Sequence, residues 1–226
     1  AEATFTLTVA AVNDAPVVEG GSAHLLEDGE HSFTAADFGF SDVEDDALAN
    51  VIITSLPENG TLFVGDIALT GEGLGEAGHV IPAAGLEGLR FVPAANFNGE
   101  VSFGYRVQDA GGTANEGFDT SVETTFTLSV GAVNDAPVAT DNSTVLLEDG
   151  EHVFGAEDFG FSDVEDDALA AVIITSLPDE SEGTLYFDGE PVTDDMLGEG
   201  GYAIEAADLG LLVFQPAADF NGPVTF

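Results

Sequence analysis

A twelve-residue stretch, Phe38-Gly39-Phe40-Ser41-Asp42-Val43-Glu44-Asp45-Asp46-Ala47-Leu48-Ala49, returns letter for letter as Phe159 through Ala170, a shift of 121 positions. So long a period means tandem domains, because solenoid repeats are built from units of about 20 to 50 residues. The period also marks where a unit closes. Residues 1–11 alternate apolar and threonine positions (Phe5, Leu7, Val9), and residues 122–132 repeat them at the same shift. Each copy runs into Val-Asn-Asp-Ala-Pro, at 12–16 and 133–137. Alternation of that kind is the mark of a half-buried strand. Residues 12–132 therefore read as one complete repeat. Residues 133–226 read as a second that lacks its last strands, and 1–11 as the closing strand of a preceding one.

Within the complete repeat, seven or eight strands are expected, at 17–26, 31–35, 47–56, 60–64 with 66–70, 79–82, 87–92, 100–108 and 123–130. Pro57-Glu58-Asn59-Gly60 and Asn98-Gly99 carry turn chemistry and are expected to close β-hairpins. The second repeat is two residues longer at the first of these, Pro178-Asp179-Glu180-Ser181-Glu182-Gly183, as a surface loop allows. Thr34 to Phe38 is expected to form a single helical turn. Strands every 8 to 15 residues with no long helix give an all-β chain of tandem Greek-key β-sandwiches.

Charge decides which partners such a chain can have. It carries 43 Asp and Glu against 2 Lys and Arg, a formal charge of −41, with 44% hydrophobic residues and 17 Phe. That hydrophobic content supports a packed core and separates the chain from acidic disordered sequences. Two arginines cannot build a phosphate-binding face, so nucleic acid and anionic membrane surfaces are excluded as partners. No apolar run reaches the roughly 18 residues needed to insert into a membrane. Cysteine is absent. Metal carboxylates are then the available staple.

Asp42, Glu44, Asp45 and Asp46 place four carboxylates within five residues, and Asp163, Glu165, Asp166 and Asp167 do the same in the second repeat. So close a group costs several kcal/mol unless a cation sits among it. Calcium suits it, taking six to eight oxygens in loose geometry. Residues 42, 44 and 46 would lie on one side of an extended loop, about 7 Å apart, and a curl would bring them to one ion. Glu27 and Asp14 are expected to add oxygens to the same ion. The competing reading is a solvated acidic turn. An EF-hand is excluded, since the twelfth position from Asp42 is Ile53.

Val-Asn-Asp-Ala-Pro, Leu-Leu-Glu-Asp-Gly, Phe-Ser-Asp-Val-Glu-Asp-Asp-Ala-Leu, Pro-Ala-Ala-Asn-Phe-Asn-Gly and Val-Gln-Asp-Ala-Gly-Gly together resemble the cadherin-like (immunoglobulin-like) tandem repeats of large bacterial RTX-type and biofilm-associated adhesins. The resemblance spans the chain. It implies calcium-binding sandwiches strung end to end in an extender region, extracellular, on the bacterial surface or secreted. By position it implies ligands at Asn13, Asp14, Glu27, Asp28, Asp42, Glu44, Asp46 and Asp109. In the second repeat it implies Asn134, Asp135, Glu148, Asp149, Asp163, Glu165 and Asp167. Two departures stand out: Asp45 where the family has glycine, and Ala11 where cadherins have an acid.

No nucleophile accompanies His31 or His152, and no enzymatic motif appears, so catalysis is not expected. Asp37 and Asp158 read as local caps. The function that results is a calcium-stiffened structural extender of an adhesin, with neighbouring repeats of the same chain as its partners. The alternatives are a glycan- or protein-binding β-sandwich module, and a subunit that joins copies head to tail. In the last, residues 1–11 would enter the open seam of another copy's second unit.

Overall fold

The computed structural model describes residues 3–226, which divide into two compact units, Ala1–Val133 and Asn134–Phe226. In unit 1 the strands are β1 (Val17–Val18), β2 (Gly21–Leu26), β3 (His31–Ser32), β4 (Phe40–Ser41), β5 (Leu48–Ile53), β6 (Gly60–Val64), β7 (Ile67–Ala68), β8 (His79–Pro82), β9 (Leu89–Pro93), β10 (Gly99–Asp109) and β11 (Thr124–Gly131). They form a five-stranded sheet in the order β2-β11-β10-β5-β8 and a four-stranded sheet in the order β3-β9-β6-β7. A mostly β, immunoglobulin-like sandwich results.

Strand periodicity fills the space between the sheets. β10 buries Val101, Phe103, Tyr105 and Val107 while Glu100, Ser102 and Arg106 face out. Asp109 is the next inward position, so the same period carries a carboxylate to the end of the core, 3% exposed. β11 buries Phe126, Leu128 and Val130. Phe126 meets Phe33, Phe38 and Phe103 at ring-centroid distances of 5.1, 6.0 and 5.4 Å. Each such ring contributes about 2–3 kcal/mol of burial and a further 0.5–1.5 kcal/mol per aromatic pair. Tyr105 satisfies its hydroxyl in this core by donating to the Phe38 carbonyl at 3.1 Å.

Residues 3–11 carry no strand, and Phe5, Leu7 and Val9 are 89%, 75% and 84% exposed; Ala1 and Glu2 lie outside the described residues. The sheet these residues are expected to close is that of a preceding repeat. Two expectations are corrected. The Asn59-Gly60 and Asn98-Gly99 turns do not close hairpins. The first joins β5 to β6 and the second β9 to β10, and in each case the strands belong to different sheets. Turn chemistry reverses the chain in both cases, but the buried faces choose the partners. The strand expected over 17–26 is broken at Glu19-Gly20, where Gly20 has φ 84°: β1 pairs with β4, and β2 runs parallel to β11.

Unit 2 repeats these pairings where the sequence repeats. Residues 152–153 pair with 213–214, 183–187 with 212–216, 171–174 with 202–205 and 138–139 with 161–162. Its core gathers Phe154, Ile174, Leu185, Val192, Ile204, Leu209, Leu212 and Phe214. The counterpart of β2, residues 142–147, carries no strand, and Val145 and Leu147 are exposed.

Candidate metal centre

The acidic loop of unit 1 is held curled by its first residue. Asp42 Oδ1 accepts from the backbone N–H of Glu44 at 2.9 Å and of Asp46 at 3.0 Å. Asp45 completes the curl with φ 61°, a left-handed conformation that aspartate tolerates better than most residues. The second repeat reproduces it, with Asp163 Oδ1 accepting from Glu165 and Asp167 at 3.0 and 3.1 Å and Asp166 at φ 59°. Aspartate thus supplies the backbone freedom that glycine gives elsewhere. Asp45 and Asp166 themselves are exposed.

Two connections bring further oxygens to this loop. A register shift at Gln108/Asp109 and a bond from Ala110 N–H to the Ala47 carbonyl (2.9 Å) dock the end of β10 on the loop. Asn13, in the segment leading into unit 1, reaches the same place. Its Nδ2 donates to Asp109 Oδ1 and Oδ2 at 3.1 and 3.3 Å and to the Phe118 carbonyl at 2.5 Å. Phe118 N–H returns a bond to the Asn13 carbonyl at 2.9 Å. Asp109 Oδ1 also accepts from Gly111 N–H at 2.8 Å. Close approach explains the glycine here. A Cβ on Gly111 would collide with Asn13 Oδ1 and Asp46 Oδ2 together, so those two oxygens flank one point.

What these oxygens lack is a donor. Asn13 Oδ1 and Asp42 Oδ2 are buried with no hydrogen-bond partner, and Asp46 Oδ2 stands beside the former. Neither arginine is at hand: Arg90 pairs with Glu30 at 3.2 Å and Arg106 with Glu123 at 3.5 Å. Asn13 Oδ1 and Asp46 Oδ2, side by side without a proton between them, repel, and a hard cation removes that cost as it would the cost of burying Asp42 Oδ2 unpartnered. The donor set therefore fits calcium chemistry. As they stand, no three Asp, Glu or His side chains among the described residues are arranged to hold a metal, and the amide oxygen of Asn13 is the additional donor here.

The remaining expected ligands are dispersed. Glu27 does not join the loop of its own unit. It follows β2, whose Leu26 lies opposite Gly131, whereas the loop lies against Asp109, about 30 Å away along β10. Parallel pairing of β2 with β11 sends the two acidic groups to opposite ends. Glu27 is 4% exposed; its N–H donates to the Gly131 carbonyl at 3.0 Å, and its Oε1 accepts from Val133 N–H at 2.6 Å. Its Oε2 is buried without a partner. Asp14, Asp28, Glu44, Glu148 and Asp149 are exposed. In unit 2, Asn134 Nδ2 donates to the Asp135 carbonyl at 2.8 Å, and Asp135 N–H donates to Glu165 Oε2 at 3.1 Å. Glu165 Oε1 is another buried oxygen with no partner.

Sequence reasoning marked Asn13, Asp109 and the turn after it, and missed that residues 110–118 wrap Asn13. The signal for that was present in Gly111 and Gly117, which leave room for the Asn13 side chain and backbone. The capping residues fall as expected: Asp37 Oδ2 accepts from Thr34 N–H and Oγ1 at 2.6 and 2.8 Å, and Asp158 Oδ2 accepts from Gly155 N–H at 2.8 Å.

The model of the bacterial Ig domain matches residues 13–127, from Asn13 of the candidate centre into β11. The chain belongs to the bacterial Ig domain family. The match covers the sandwich of unit 1, and the like pairings of unit 2 fit a tandem arrangement of such Ig domains. Bacterial Ig domains are typical of cell-surface proteins and usually non-catalytic, and no catalytic family matches this one. A comparison with curated proteins gives no match. Among the described residues no helix is long and apolar enough to cross a membrane.

Proposed function

We propose that these Ig domains are calcium-stiffened extenders of a bacterial adhesin, cadherin-like in design, working outside the cell and in biofilm attachment. The observation that carries the reading is the set of buried oxygens without donors around Asn13, Asp42 and Asp46. Asn13, Asp42, Asp46 and Asp109 would hold the ion at the entry end of unit 1. Asp163 and Glu165 would play the corresponding part in unit 2, with Asn134 and Asp135 supplying linker oxygens. Glu27 and Asp28 would serve a cation at the exit end. The ion supplies charge and coordination, and the chain's own residues supply the position. Asn13 ties the incoming segment to the 110–118 loop, so an ion held there fixes the direction in which one Ig domain leaves the next. Neighbouring repeats are the partners of this arrangement.

Titration calorimetry with calcium on the full chain tests it, together with melting in chelator and in calcium. Sites with a dissociation constant near 10–100 µM would each add about 1.5–2.7 kcal/mol at 1 mM calcium. Heat of binding with a defined stoichiometry and a raised midpoint are expected. An unchanged midpoint at moderate sodium concentration would sink the reading and leave the acids as salt-tolerant surface.

A further inference from the structure

The two repeats differ at one edge of the smaller sheet. In unit 1, Phe63 of β6 lies opposite Arg90 of β9, and the guanidinium sits 4.3 Å from the ring centroid while pairing with Glu30. The chain covers that ring with a cation of its own. In unit 2 the matching residues are Tyr186 and Val213, again opposite one another, so the ring is present and the arginine is not. Tyr186 is half-buried and lines an open groove of about 1120 Å³.

The walls of the groove differ in the same sense. Loop 178–183, two residues longer than its counterpart, brings Asp179 and Glu180 to it, and the short helix Asp194–Leu197 brings Asp194 and Asp195. Unit 1 has only Glu58 and Glu72 at the matching places, with Gly71 where unit 2 has Asp194. Asp179 is fixed in its loop. Its Oδ1 accepts from Ser181 Oγ at 2.6 Å and Ser181 N–H at 2.9 Å, bonds that hold its carboxyl below the usual carboxylate range. Between the walls, Leu185 and Val192 make an apolar floor.

Three features select the occupant. Among the described residues no three acids are arranged to hold a metal, so this charge is spread along a length and not gathered on a point. The volume exceeds the roughly 300–1,000 Å³ of small-molecule sites. Pro191, in the edge strand Glu190–Pro191, blunts that edge against an added strand, which leaves side chains to make the contacts. Carboxylates beside an exposed aromatic face are complementary to a guanidinium, which is planar, stacks on rings and takes carboxylates through its fork.

We propose that this groove docks an extended, arginine-bearing segment of another protein. One guanidinium stacks on Tyr186, the place Arg90 takes over Phe63, between the two acidic walls. Apolar side chains of the segment cover Leu185 and Val192. Unit 2 is then a recognition domain as well as a spacer, and no step of this depends on calcium.

The experiment is fluorescence anisotropy on the full chain, in chelator and at physiological salt. Its probe is an end-blocked, fluorescein-labelled hexapeptide of alternating leucine and arginine, beside the same peptide with lysine. One-to-one binding is expected, tighter for arginine. Tyr186→Ala, and Asp194→Asn with Asp195→Asn, should each weaken it by about tenfold. Tyr186→Phe keeps the ring and should bind as the native chain does. Val213→Arg, which copies the unit 1 arrangement, should block the groove from within. Glu72→Gln in unit 1 should change nothing, which separates the groove from general attraction to a charge of −41. Equal losses in the unit 1 and groove variants, or no loss in any of them, would overturn the proposal. A lysine peptide that binds equally well would overturn the stacking on Tyr186. No peptide binding beside Tyr186-dependent binding of cellohexaose would overturn it in favour of a sugar site. Failure of the calcium titration alone would leave all of these results standing.

Discussion

Replacing Asp109 by asparagine separates a structural carboxylate from a liganding one, because the two roles predict different signs in different solutions. In chelator, the asparagine side chain keeps an oxygen for the N–H of Gly111 and for Asn13 Nδ2, bonds that are 2.8 and 3.1 Å long in the native protein. Charge assistance in those bonds is lost, at a cost of about 1 kcal/mol in all. Against this, one negative charge leaves the neighbourhood of Asp42 and Asp46. That relief is worth on the order of 1–2 kcal/mol at an effective dielectric of about 20. The two nearly cancel, so the midpoint in chelator should move by no more than about 4 °C, the equivalent of roughly 1 kcal/mol for a domain of this size. In 1 mM calcium the variant loses an anionic ligand and with it most of the about 1.5–2.7 kcal/mol of linkage, a drop of roughly 6–10 °C. Differential scanning calorimetry on wild type and variant in both solutions reads this directly. An equal loss in chelator and in calcium would show that Asp109 acts only as an acceptor for Asn13 and Gly111.

Three further perturbations follow from the same geometry. Gly111→Ala pushes a methyl group into Asn13 Oδ1 and Asp46 Oδ2, so it should cost about 1–3 kcal/mol and weaken calcium binding, as calorimetry would record. Burial raises the Tyr105 hydroxyl to about 12, against 10.0 for the free group. A raised pKa contributes stability that is whole below pH 10 and is lost as the pH climbs toward 12; Tyr105→Phe should remove roughly 2–3 kcal/mol of that alkaline dependence in denaturant titrations at pH 9 and pH 12. Phe126→Ala empties the centre of the aromatic cluster and should cost about 3–5 kcal/mol by urea unfolding, with the calcium-induced gain retained in whatever fraction still folds.

The fold was legible wherever burial and period speak together. Phe126, Leu128 and Val130 announce β11 by alternation, and the structure buries all three. The same alternation at Phe5, Leu7 and Val9 carries no strand among the described residues, since a strand is half of a pair and its other half is not written in its own letters. Asn59-Gly60 and Asn98-Gly99 show a second limit. A turn signal states that the chain reverses but is silent on whether it returns to the same sheet. The candidate centre divides along similar lines. Clustered acids at 42–46 are visible as a run, and their curl follows from the reach of Asp42 to the amides ahead of it. That Glu27 lies far from them depends on β2 running parallel to β11, a long-range fact. The part of Asn13 is equally hidden, since its partners Asp109 and Phe118 are 96 and 105 positions away.

Those separations govern when unit 1 can form. Among the described residues β2 has one strand partner, and it arrives with residues 126–131, more than a hundred positions after Gly21 has left the ribosome. Closing so long a loop precedes any reward from the pairing, so folding is expected to be slow and to wait for the last strand. During that wait Phe33, Phe38 and Phe103 have no Phe126 to cover them. A nascent chain in this condition invites aggregation. Here the charge of −41 has a use unconnected with any ion, because mutual repulsion keeps waiting chains apart until β11 completes the sheet.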